Sequence, residues 1–145
     1  MNAYSNHYRN NQVMTASPEQ ILIMLYDGAI RFVRQAKLEI ENGRQADKAT
    51  AISKAVAIIT EFSNTLDYEV GGEIALDLSQ LYDFMIRELS AVNACSDTKR
   101  LEPVEKILLD LREGFVGAAE INRKGLQPQL NQQTEVPEKR VAVSF

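Results

Sequence analysis

The side chains able to do chemistry in this sequence are few and poorly placed for it. There is one histidine, His7, and one cysteine, Cys95. Nucleophilic catalysis needs a nucleophile held within hydrogen-bond reach of a base on a rigid frame. His7 instead stands in residues 1–16, a stretch rich in Asn, Ser and Gln with neither the helical nor the strand period. Carboxylate-bridged metal sites in helical bundles draw Glu-x-x-His pairs from two helices, and no predicted helix here carries a histidine. A single cysteine forms no internal disulfide and no thiolate metal site; near the end of a helix it is expected as a small, buried or half-buried side chain. Gly71-Gly72 follows no strand and lacks GxGxxG spacing, so it reads as a turn and not as a phosphate loop. The inventory therefore predicts a protein that is not an enzyme, with no catalytic residue, no cofactor and no metal.

The remaining acids, among them Glu39, Glu41, Glu61, Glu88 and Asp110, alternate with Arg31, Arg34, Arg87 and Arg112 and are expected on solvated faces. Two others share a context. Leu25-Tyr26-Asp27 and Leu81-Tyr82-Asp83 repeat on separate helices, so these polar groups either hydrogen-bond across the bundle or simply lie at the surface. With a net charge of −4 and both signs interspersed, there is no basic stripe for nucleic acid. The opening Met1–Tyr8 has no basic-then-apolar leader pattern, and no apolar run approaches the ~20 residues of a membrane span. A soluble cytoplasmic protein is expected, not inserted in a membrane.

The elements that would position any site are helices. Ser17-Pro18-Glu19-Gln20 combines a capping Ser, a Pro suited to the first helical position and a Gln that closes a capping box. Leu22, Leu25, Ala29, Phe32 and Ala36 follow at helical steps, and Gly43 offers a left-handed stop, so the first helix should run near Pro18 to Asn42. Ile52, Val56, Ile59, Ser63 and Leu66 predict a second helix near Asp47 to Thr65. Ile74, Leu78, Leu81, Met85, Leu89 and Val92 predict a third from about Glu73 to Ser96, after a break at residues 67–72. Val104, Leu108, Leu111, Phe115 and Ala118 predict a fourth from near Pro103 to Lys124-Gly125. The expected fold is all-α: an antiparallel up-and-down four-helix bundle over residues 17–125, with an irregular N-terminal arm (1–16) and a disordered C-terminal tail (126–145).

The apolar surface exceeds what one bundle core needs. Ile21-Leu22-Ile23-Met24-Leu25-Tyr26 is apolar all round a helix, and Leu81-Tyr82 with Phe84, Met85 and Ile86 does the same on the third. Both runs contain Met, whose flexible thioether suits adaptable binding surfaces. The surplus is covered either within the monomer, by the arm and crossing helices, or by an apolar helix from a partner read at i, i+3, i+4 and i+7. The residues alone also fit a homodimeric helical adaptor or regulator whose excess stripe pairs with itself.

Several runs carry a family likeness: Val13-Met14-Thr15-Ala16-Ser17-Pro18, Met24-Leu25-Tyr26-Asp27-Gly28-Ala29, Lys54-Ala55 with Ile58-Ile59, Gly71-Gly72-Glu73-Ile74-Ala75, Leu81-Tyr82-Asp83-Phe84-Met85, and Leu89 with Ala91 and Asn93. In one register from Tyr4 to Ala118, the chain resembles the flagellar secretion chaperone family, FliS. The resemblance implies a cytosolic export chaperone that binds the disordered C-terminal segment of flagellin. Such a protein prevents premature polymerisation and delivers flagellin to the flagellar type III export gate. It implies a client groove on Ile21, Met24 and Leu25 of the first helix and Tyr82 and Met85 of the third. It further implies a self-cap from the arm, through Tyr4, Tyr8 and Val13, and a monomer or weak homodimer when free. One departure is Gly114-Phe115, where members often carry Trp. The tail beyond Leu126 lies outside the likeness.

Overall fold

The helix start written into Ser17 forms as its chemistry requires. The computed structural model describes residues 17–129, with side chains through residue 121. Ser17 Oγ accepts from the Gln20 backbone N–H at 3.2 Å while Gln20 Oε1 accepts from the Ser17 N–H at 3.0 Å. This reciprocal pair satisfies two donors that a helix terminus would otherwise leave open. Helix α1 (Pro18–Glu41) then runs to Gly43, whose φ of 71° turns the chain out of the helix. Only glycine adopts that conformation without strain.

Helix α2 (Gln45–Asn64) returns antiparallel to α1. Gly28 of α1 faces α2, where a Cβ would sit 3.4 Å from Ile58 Cδ1, in van der Waals contact. Helix α3 (Tyr68–Cys95) starts earlier than the apolar pattern predicts. The Asp67 carboxylate accepts from the N–H groups of Glu69 and Val70, both at 3.0 Å, and so stabilises a helical turn ahead of the expected break. The break itself is Gly72, at φ 52° and ψ −125°. A 3-10 turn (Thr98–Arg100) leads into α4 (Leu101–Gln129), which continues past the expected stop because Gly125 stays helical.

The order is up, down, up, down, with short connections that make sequential helices antiparallel neighbours, as expected. α1 packs on α2 and α4, α2 packs on α3, and the contact between α3 and α4 is sparser. The core draws Tyr26, Ile30 and Val33 from α1, Ile52, Ile59 and Phe62 from α2, Tyr82, Met85 and Leu89 from α3, and Val104, Leu108 and Phe115 from α4.

Two charged residues are buried as well. Lys48 Nζ donates to the Asn93 carbonyl and to Ser96 Oγ, each at 2.9 Å, placing a cation on the last turn of α3 and tying α2 to it. Glu39, expected on a solvated face, is buried with its carboxylate accepting from Gln35 and Arg44. Cys95 departs from expectation in the opposite sense, being exposed at the end of α3.

Candidate binding surface

After its first turn α1 carries five consecutive apolar residues, Ile21–Leu25, and none of them is buried. Ile21, Leu22, Ile23 and Leu25 are half-buried and Met24 is 36% exposed, while the first fully enclosed side chain is Tyr26. A helix turns 100° per residue, so one core-facing stripe cannot accommodate such a run. The topology brings the start of α1, the start of α3 and the later part of α4 to one end of the bundle. Tyr68, Val70, Ile74 and Leu76 of α3 and Ile121 of α4 are there, each between 47% and 53% exposed. Of the two surplus runs predicted from the sequence, only that of α1 lies at this end; Leu81, Tyr82, Phe84, Met85 and Ile86 lie further along α3 and are buried or half-buried, and the exposed apolar residues of α3 here are Tyr68 to Leu76 instead.

Beneath it lies a rigid floor built by one aromatic residue from each helix. Tyr26 stacks on Phe62 with ring centroids 4.3 Å apart and on Phe115 at 5.5 Å, and Phe62 meets Tyr82 at 5.6 Å. The hydroxyls of Tyr26 and Tyr82 hydrogen-bond to each other at 2.9 Å across the bundle. That single bond answers the question posed by the two Leu-Tyr-Asp runs. The tyrosines pair internally; both aspartates stay exposed, and Asp27 forms an ion pair with Arg112 of α4.

Burial opposes the ionisation of both phenols and raises their pKa. Tyr82 is pushed up to about 12, and Tyr26 rises further, through burial first and then the neighbouring Tyr82. The folded protein therefore holds these protons more tightly than the unfolded chain, whose tyrosines titrate near 10. Stability is unaffected by these groups below pH ~10 and falls above it, by up to ~1.4 kcal/mol per pH unit for each tyrosine. Urea midpoints measured between pH 8 and 12 should be flat on the acid side and drop on the alkaline side; a Tyr26→Phe/Tyr82→Phe protein should lose most of that drop.

Of the residues assigned to a client groove, Ile21, Met24 and Leu25 share the half-open end of α1. Tyr82 and Met85 do not join them at the surface: both are 0% exposed and belong to the core. Their positions follow from α3 burying Ala75, Leu78, Tyr82, Met85, Leu89 and Val92 along one stripe. Phe62, which the sequence pattern passed over, is the ring that joins the two tyrosines. Tyr4, Tyr8 and Val13 lie outside the described residues, as does His7. Among the described residues, no three His, Cys, Asp or Glu side chains gather as metal ligands, and no helix is long and apolar enough to cross a membrane.

The described residues thus form an all-α four-helix bundle with a packed aromatic floor and exposed apolar side chains at one end. This chain belongs to the FliS family: the family described as flagellar protein FliS matches residues 1–122. It is 42% identical over 114 residues to the flagellar secretion chaperone FliS of Salmonella typhimurium, covering 78% of this chain and 84% of that one. It is 35% identical over 117 residues to the protein of the same name from Bacillus subtilis, covering 81% and 86%. The corresponding protein of Campylobacter jejuni is 37% identical over 110 residues, covering 76% and 86%. These relatives are named as chaperones.

Proposed function

We propose that this protein is a non-enzymatic, cytosolic export chaperone that binds the disordered C-terminal segment of flagellin. In this role it keeps flagellin from polymerising early and delivers it to the flagellar type III export apparatus. The observation that carries the reading is the run Ile21–Leu25 near the head of α1, five apolar residues none of which is buried, in a chain of this family. A disordered client must offset the entropy of its own ordering, which requires a large apolar contact. Ile21, Met24 and Leu25 supply part of that contact directly. Tyr82 and Met85 act from beneath, by holding the floor on which the helices around it rest. Tyr4, Tyr8 and Val13 serve as a displaceable cap that competes with the client.

Calorimetric titration with flagellin from the same genome, intact and without its C-terminal segment, tests the proposal. A 1:1 complex with a negative heat-capacity change, lost when the segment is removed, is the expected result. Equal binding by the shortened flagellin would overturn the binding mode. No binding to either form, together with a stable homodimer in light scattering, would put the self-pairing adaptor in its place.

A further inference from the structure

The first half of α3 turns an acidic face to solvent. From Phe62 to Ile86 the sequence contains no Lys or Arg. Glu69, Glu73, Asp77 and Asp83 in that stretch are exposed, and none of them enters an ion pair among the described residues. Ala75, Leu78, Tyr82 and Met85 point into the core. At 100° per residue, the opposite side of the helix carries Glu73, Leu76, Asp77, Gln80 and Asp83. Leu76 is 53% exposed, and Ile74 beside it 47%. Uncompensated carboxylates around open apolar side chains complement a segment that brings cations and apolar side chains together.

Such a segment stands in the same chain. Lys139-Arg140-Val141-Ala142-Val143-Ser144-Phe145 has two adjacent cations, no acid and three large apolar residues, with Glu135 and Glu138 before it. It lies outside the described residues and beyond the stretch that matches the family. Its point of attachment is nevertheless fixed. α3 and α4 contain 28 and 29 residues and run antiparallel, so Gln129 at the end of α4 comes level with the start of α3. Packed helix axes lie ~8–10 Å apart. Lys139 is ten residues beyond Gln129, a reach of up to ~33–36 Å, and Glu73 to Asp83 covers only ~15 Å of helix. The tether spans that distance with slack.

We infer that residues 139–145 dock on the outward face of α3 in their own chain. Lys139 and Arg140 meet Glu73 and Asp77, while Val141, Val143 and Phe145 cover Leu76 and Ile74. A tether this short holds the segment at an effective concentration of the order of millimolar, so a contact too weak to join two molecules forms within one. Because its charges are exposed, the contact is salt-sensitive. It does not depend on a flagellin client.

A spin label on the full chain tests it, without flagellin. Cys95→Ser with Ser144→Cys moves the one thiol from the exposed end of α3 to a position next to Phe145. The label's broadening of backbone amide signals is then read by nuclear magnetic resonance. At roughly 20 mM salt the amides of Glu73, Leu76 and Asp77 should lose at least half their intensity, and at roughly 500 mM most of it should return. Lys139→Glu/Arg140→Glu should abolish the broadening, as should Glu73→Lys/Asp77→Lys, and the two pairs combined should restore it. Circular dichroism melts of the Glu73→Lys/Asp77→Lys protein should stay within a few degrees of the parent, since both positions are exposed.

Unbroadened α3 amides in low salt overturn the proposal, leaving the acidic face to a separate basic, apolar chain. Broadening confined to other helices overturns it too, as does broadening of α3 that ignores both charge reversals. Spin-labelled chains mixed with isotope-labelled chains that carry no spin label should show no broadening; broadening there would replace the chain's own segment with that of a second copy. None of these results bears on the flagellin titration.

Discussion

An alanine at position 62 should lower the unfolding midpoint by roughly 10–20 °C. Phe62 is 1% exposed and stacks on Tyr26 while touching the ring of Tyr82. Truncating a buried phenylalanine costs ~3–5 kcal/mol, through lost transfer energy and the cavity left behind. In a domain of this size each kcal/mol moves the midpoint by roughly 3–5 °C. The loss spreads through the bundle because Tyr26 also stacks on Phe115, so the cavity opens where four helices meet. Differential scanning calorimetry decides the matter. A shift under about 3 °C, the effect of less than ~1 kcal/mol, would mean that Phe62 does not join the helices as described.

The hydroxyl pair above that ring behaves differently from a truncation. Tyr26→Phe or Tyr82→Phe alone leaves the other hydroxyl buried without its partner, which costs ~1–3 kcal/mol. Removing both hydroxyls leaves an apolar contact with nothing unsatisfied, so the double variant should be less destabilised than the sum of the two singles. The sign of that difference, read from a double-mutant cycle, separates a true internal pair from two independently hydrated phenols.

In α1 the ends were more legible than the face, and the reason is physical. Ser17 and Gly43 act on their own backbone within a few residues, so sequence alone locates them. Faces are set by partners far away. Of the expected α1 stripe, Ala29 and Ala36 are buried but Leu22, Leu25 and Phe32 only half-buried, while Tyr26, Ile30, Val33 and Glu39 are buried in their stead. Ile21–Tyr26 is apolar on every side, so nothing in that run selects a direction until α2 and α4 are present.

The same degeneracy hid Phe62. From Ile59, steps to Ser63 and Leu66 fit a helix as well as steps to Phe62 and Leu66, and the aromatic partners that decide the matter sit on α1 and α3. Lys48 and Glu39 were hidden too. The partners of Lys48, Asn93 and Ser96, are 45 and 48 residues along the chain. At the candidate surface, excess apolar character was visible in advance, but which methionine faces out was not.

That last distinction gives the sharpest test of the surface. Met24→Glu and Met85→Glu place the same charge on two helices that the sequence treats alike. Met24 is 36% exposed, so its glutamate stays hydrated and the free protein should melt within a few degrees of the parent. If the start of α1 holds the flagellin segment, the charge then enters an apolar contact, and the complex should weaken by tenfold or more. Met85 is 0% exposed, and a carboxylate there is buried without a counter-charge. Breaking into the core this way costs ~3–5 kcal/mol or drives the group to bind a proton, so the free protein should unfold or melt far lower. Melting and titration must therefore be measured on both variants. A folded Met85→Glu protein would move Met85 out of the core, whereas a folded Met24→Glu protein with undiminished flagellin binding would move the client off the head of α1.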